Sequence, residues 1–339
     1  MMNKSREEVL EHLNIGEEML YLTKKECTNI GISIEGFIDL TENALIQHGN
    51  KRYDMPAKIG VHPSNNTFYH AMPAFVPSEE AVGVKWIASY PDNEKKYALP
   101  QITGLLILND VLTGLPIALM DSTYITAMRT PAVSALTAAK LHPKAKSFGM
   151  FGCGVQGIEH VRFIQKTLKH LKEIYIYDIN EEAMDNLISQ VEISPKIKII
   201  KGENVEEVAR MCDVLCSATV ILKEPLAVLK DEWIRDGKTI LACDLNTFVD
   251  PRITHKADKY IVDSKASHQL LEKQGYFPDG LPNVYCETGE IIAGIKDGRA
   301  CDSELIVCSN IGMAVCDMVV ARKVFDIALE RGVGMKLKL

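Results

Sequence analysis

From residue 146 onward, apolar and polar positions switch between two periods. Short apolar runs at 147–151, 173–177, 197–200, 213–217, 239–243 and 259–263 read as strands, and 155–170, 181–190 and 204–211 carry apolar residues at helical spacing. Strands alternating with helices predict a doubly wound parallel sheet. Upstream the pattern differs. Val9, Leu10, Leu13 and Met19 among charges predict an amphipathic helix within residues 5–20, and Met19–Leu22 reads as a strand. Ile34–Gln47 reads as a helix with a glycine stop at Gly49. The alternating runs Thr67–Val76, Ala81–Tyr90, Ile102–Asn109 and Pro116–Met120, with a Thr113-Gly114 turn, predict a mainly antiparallel sheet. Ser122–Leu141 is helical in composition but broken at Thr130-Pro131, which sets Arg129 at a bend. Beyond Val307-Cys308, Met313–Arg331 reads as a last amphipathic helix that returns to the first domain.

The expected class is therefore α/β: a Rossmann-type doubly wound sheet over 129–311, plus an α+β domain built from 1–128 together with 312–339. A chain of 339 residues exceeds the usual size of one core, which agrees with two domains. With 47% hydrophobic and 24% charged residues the composition is that of an ordinary globular protein. A net charge of -7 and a pI near 5.8 argue against a nucleic-acid partner and favour small metabolites. Residues 1–22 lack a signal-peptide core and no apolar run approaches membrane-spanning length, so a cytoplasmic protein without a membrane partner is expected. Nine scattered cysteines fit free thiols in a reducing compartment. No CxxC and no His pair with metal spacing occurs; Cys212 and Cys216 fall at a helix-to-strand junction, and catalysis is expected to be metal-free.

The strand at 147–151 runs into Gly152-Cys153-Gly154-Val155-Gln156-Gly157, and a second strand ends at Asp178, about 20 residues beyond the turn. Together these form a dinucleotide-binding fingerprint. Gly152 permits the tight turn, Gly154 leaves backbone open to a pyrophosphate, and Gly157 lets the helix pack closely. Asp178 is placed to accept the ribose hydroxyls, unless it merely caps the next helix. Ile179 and Asn180 follow it where a 2′-phosphate binder would carry a cation, so NAD is favoured over NADP. Small residues at Ser217, Ala218 and Thr219 close the fourth strand where backbone can approach the nicotinamide ribose. Asp244 ends the strand at 239–243 as a candidate general acid or base, or as a turn aspartate. In the first domain Lys58, Lys85 and Arg129 sit in apolar segments, where a substrate carboxylate is a natural partner, although each alone could be a snorkelling surface residue.

Ala71-Met72-Pro73-Ala74, Val84-Lys85, Leu112 to Asp121 and Ile125 to Thr130, leading into Gly152 to Gln156, resemble the ornithine cyclodeaminase, mu-crystallin and archaeal-type alanine dehydrogenase family, from about Tyr21 to Arg331. The resemblance implies a Rossmann unit inserted after a substrate-binding, dimer-forming domain, and a homodimer or a multiple of it. It implies that Lys58, Lys85 and Arg129 hold the substrate carboxylate and that Met72 and Ile311 border the substrate. Val155, Gln156, Asp178, Thr219 and Asn310 are implied to touch the cofactor, and Asp244 to move the proton. Three departures stand out: His70 replaces an acid that receives a distal ammonium, Lys58 replaces an arginine, and Phe248 replaces a lysine.

The expected activity is NAD-dependent chemistry at the Cα–N bond of an L-amino acid through an imine, in the manner of an ornithine cyclodeaminase with ammonia release. An alanine-type dehydrogenase or a ketimine reductase is the alternative; Lys85 and Asp244 are the expected catalytic residues, and Asp244 favours cyclodeamination or dehydrogenation over a crystallin-like reductase. A non-catalytic, crystallin-like dinucleotide binder is the rival from another class. His70 weakens an ornithine substrate, because a neutral imidazole gives an ammonium no charge attraction.

Overall fold

In the computed structural model, which describes residues 4–339, chain contacts separate Met1–Arg129 with Met313–Leu339 from Thr130–Gly312. The first unit holds α1 (Lys4–His12), β1 (Glu18–Leu22), α2 (Lys24–Asn29), α3 (Ile34–Gly49), β2 (Ile59–Ser64), β3 (Thr67–Val76), β4 (Ala81–Ser89), α4 (Asn93–Tyr97), β5 (Ile102–Asn109), β6 (Pro116–Asp121) and the start of α5 (Thr123–Leu141). The second unit holds β7 (Ser147–Phe151), α6 (Val155–Thr167), β8 (Glu173–Tyr177), α7 (Glu181–Gln190), β9 (Lys198–Lys201), α8 (Val205–Met211), β10 (Val214–Ser217) and β11 (Thr239–Ala242). It continues through α9 (Pro251–Lys256), β12 (Lys259–Val262), α10 (Lys265–Lys273), β13 (Val284–Glu287), α11 (Thr288–Ile292) and β14 (Ile306–Ser309). The chain then returns to the first unit as α12 (Ala314–Glu330) and β15 (Met335–Lys338). Among the described residues no helix is long and apolar enough to cross a membrane.

The first unit's sheet has the order β15-β1-β6-β5-β4-β3-β2 and is antiparallel throughout except for the β1–β6 pair. Register puts Met72 opposite Lys85, Lys85 opposite Leu106 and Leu106 opposite Met120, so these four share one face. That face is buried, and α12 packs on β3, β4 and α3. α12 is buried along most of its length, with Val315, Met318, Val319 and Phe325 in the core and Lys323 and Glu330 exposed. On the opposite face Trp86 pairs with Leu105 and Val84 with Ile107, and Trp86, Leu105 and Ile107 are exposed.

The second unit's sheet has the order β13-β12-β14-β11-β10-β7-β8-β9 with every pair parallel. Chain order reverses between β7 and β10, and a doubly wound sheet takes its ligand at the carboxyl ends of such a pair.

Several local expectations need correction. α5 is one helix with Pro131 inside it, so Arg129 is not at a break. Proline forfeits a single backbone bond, and buried Ala132, Val133, Ala135 and Leu136 hold the helix across it. α3 runs through Gly49, and the left-handed residue is Lys51 at φ 58°. The N-terminal helix ends at His12, before the apolar residues nearest the strand. The 6-residue β2 and 4-residue β15 are edge strands, largely exposed, and lack the alternation by which the other strands of this sheet are legible.

Candidate active site

Lys85 is completely buried on the core face of β4, beside Met72 on β3. A buried, unpaired ammonium costs several kcal/mol, so a partner is required. That partner is Asp317 in the first turn of α12: Lys85 Nζ lies 2.7 Å from its Oδ2, and the Arg129 Nε donates to its Oδ1 at 3.0 Å. Lys85 Nζ also donates to Thr126 Oγ1 at 3.3 Å. Burial, with Arg129 and Lys58 nearby, brings the Lys85 ammonium down to about 8 despite the opposing pull of Asp317. Sequence reasoning missed Asp317. A single acid inside the apolar run Met313 to Val320 was the available signal, but its partner Arg129 lies 188 residues away.

His70 faces the same side as Met72, two positions along β3, and pairs with Ile87 on β4. Its ring stacks on Phe68 at 4.0 Å between centroids and meets His62 edge-on at 6.1 Å. Gly60 lies opposite, where a Cβ would come within 2.5 Å of the imidazole, so this glycine makes room for the ring. Burial first, then Lys58, His62 and Lys85, drives the imidazole pKa down to about 2, and His70 is neutral at physiological pH. The first unit thus links Lys58, His70, Lys85 and Arg129 electrostatically and sets Met72 beside Lys85.

In the second unit Gly152 has φ +93° and a Cβ there would stand 2.7 Å from Ala218 O, which ties the β7 turn to the end of β10. Gly157 is tighter still: a Cβ would lie 2.1 Å from Gly152 O, so α6 packs on the turn itself. Gly154, the residue before α6, would meet nothing within 4 Å. Open space at a helix N-terminus suits a pyrophosphate. Val155 is exposed beside it, and the buried Gln156 Oε1 has no hydrogen-bond partner. Asp178 accepts from Cys153 N at 2.7 Å and Asn180 N at 2.9 Å, while the side chain that caps α7 is Asn180. Ile179 beside it is 96% exposed. The residues present therefore fit a dinucleotide with a bare 2′-hydroxyl.

Asp244 is wholly buried and takes bonds from Ser217 Oγ (2.7 Å), Thr219 Oγ1 (2.6 Å) and Thr219 N (3.2 Å). Its side chain therefore reaches across to β10 instead of capping its own turn. Burial raises its pKa against the lowering effect of these bonds. The next residue, Leu245, has φ 63° and is anchored by Leu271 and Phe277, with Ile311 packed on the same cluster. Left-handed backbone at a non-glycine is strain held by surrounding packing. Asn310 is less open than expected, because its side chain bonds Thr288 (2.7 Å) and Thr137 (3.4 Å). Phe248 is buried against Phe151 at 4.7 Å. Among the described residues one His/Cys group is close-set, His160 with Cys216 and Cys243, its donor atoms within 4.8 Å. His160 is held there by Gln156 O (2.7 Å) and Ser134 Oγ (2.9 Å).

Comparison with known proteins gives a consistent result. The sequence model of the ornithine cyclodeaminase/mu-crystallin family matches residues 19–332. The alanine dehydrogenase of Archaeoglobus fulgidus is 33% identical over 95% of this chain and 98% of its own. Among solved structures, the Thermococcus litoralis Δ1-pyrroline-2-carboxylate reductase in complex with NADH and L-proline superposes with a TM-score of 0.81 at 31% identity, over 94% of this chain and 99% of that one. An archaeal alanine dehydrogenase dimer with bound NAD gives 0.83 at 31% identity, over 95% and 99%.

Proposed function

Because the chain belongs to the ornithine cyclodeaminase/mu-crystallin family, we propose that it is an NAD-dependent oxidoreductase acting at the Cα–N bond of an L-amino acid or of the corresponding imine. The observation that carries this reading is the buried cation pair Lys85 and Arg129 in the first unit. The two cations share one carboxylate, that of Asp317, and the excess positive charge suits a substrate carboxylate. Holding that carboxylate fixes Cα and makes the transfer nearly unimolecular. Bound NAD supplies the hydride acceptor in one direction, and NADH the donor in the other. Asp244, with its raised pKa, carries the proton exchanged with the nitrogen or with attacking water. Water adding to the imine carbon expels ammonia and leaves a 2-oxo acid, whereas the reverse direction reduces an imine.

Net redox chemistry is favoured over the cyclodeamination expected from sequence. A diamino acid brings a second ammonium toward His70, whose surroundings are the cations Lys58 and Lys85 and a neutral imidazole of its own. The relatives named above, a dehydrogenase and an imine reductase, support the same direction. A merely dinucleotide-binding role leaves the buried cations and Asp244 without a use. Asp178 and the exposed Ile179 favour NAD over NADP. The assembly we propose is a homodimer or a multiple of it, formed through the outward face that carries Trp86, Leu105 and Ile107, and the dimeric archaeal relative supports it. The nine cysteines, all free, suit a reducing cytoplasm.

Replacing Arg129 by Met tests the clamp. KM for the amino acid should rise by about tenfold or more with NAD affinity retained; an unchanged KM removes the assignment.

A further inference from the structure

The ion pairs of Asp317 say more than that two buried charges are compensated. Asp317 is fully buried, and each of its carboxylate oxygens meets a different cation. Arg129 reaches it through Nε, the inner nitrogen of the guanidinium, which leaves both terminal amino groups outside the pair. Lys85 spends one direction of its ammonium on Asp317 and a second on Thr126, which leaves a third N–H outside these contacts. We propose that Asp317 is the positioning residue of the carboxylate clamp: it anchors the inner donors of Arg129 and Lys85 so that the guanidinium fork and the last ammonium N–H are presented to a ligand carboxylate. The inference rests on the amino-acid reading above and adds to it a residue on α12 that itself need not touch substrate.

Two physical consequences follow. A guanidinium tethered at Nε is fixed in plane, and a bidentate pair gains geometric specificity only when the fork is fixed. A single carboxylate between two cations also lowers their mutual repulsion while leaving one net positive charge for the ligand. The charged groups that face Lys85 are Asp317 on α12, Arg129 on α5 and Lys58 ahead of β2, while His70 on β3 is a neutral neighbour. Asp317 is the member that favours the protonated lysine, so its removal lets Lys85 lose its proton at lower pH.

The test compares the full-length wild-type enzyme with Asp317→Asn and Asp317→Glu, each saturated with NAD, using whichever of L-alanine, L-aspartate, L-ornithine and L-proline wild type oxidises fastest. Asp317→Asn should raise KM for the amino acid by about tenfold or more while kcat changes much less. NAD affinity should stay unchanged, and the alkaline limb of kcat/KM should move to lower pH. Asp317→Glu keeps the charge and displaces the carboxylate, so it should raise KM without moving that limb, and it decides the matter if the asparagine variant does not fold. Wild-type KM and pH profile in the folded variants overturn the inference alone. No turnover of any of the four amino acids by wild type overturns the functional reading, and the inference with it.

Discussion

At the scale of single residues the proposed activity depends on the protonation of Lys85 and Asp244. Lys85 binds a carboxylate only as an ammonium, and its pKa is about 8 in the folded protein, below the ordinary lysine value. The protonated form is present below that pH and is lost above it. Amino-acid kcat/KM should therefore fall as pH rises through about 8. Lys85→Arg should remove that limb, because a guanidinium stays charged; a wild-type profile that is flat into the ordinary lysine range would contradict the assignment. Asp244→Asn keeps one of the two oxygens to which Ser217 and Thr219 donate but cannot exchange the proton, so kcat should fall about a hundredfold or more with NAD affinity nearly intact. Unchanged turnover would sink its role. Lys58, Lys85 and Arg129 were legible in the sequence as charges within apolar segments. Asp317 and Gly60 were not, since their partners are supplied by the tertiary fold.

At the scale of elements, the glycine turn between β7 and α6 separates packing from binding. Gly157 abuts Gly152 O, so Gly157→Ala should destabilise the protein by about 1–3 kcal/mol and lower Tm. Gly154 faces open space, so Gly154→Val should keep Tm while weakening NAD at least about tenfold, as measured by calorimetry. Equal effects of the two on Tm would contradict this division. The turn was readable because its spacing is local, as were the strands whose alternation reports one buried face. Edge strands β2 and β15 escaped, being exposed without a hydrophobic period, and α5 misled because Pro131 is a strong local signal that packing overrides.

At the scale of the whole molecule, the parallel sheet was legible from its alternation of strands and helices, and the mixed sheet from its hairpins. Pairing between β1 and β15, separated by nearly the entire chain, was not. Trp86 and Leu105 were read only as strand residues, and the fold turns them to the outside as cross-strand neighbours. Replacing both by Glu should convert the proposed dimer to monomers in sedimentation velocity, and a wild-type protein that sediments as a monomer would contradict that assembly. The ratio of NADH formed to ammonia released tests the proposed net redox chemistry at an amino-acid Cα–N bond. With NAD and a panel of L-amino acids, NADH should accumulate, in equal amount with ammonia for an acyclic substrate and without ammonia for L-proline. Ammonia released with no net NADH would contradict the account and return the enzyme to cyclodeamination.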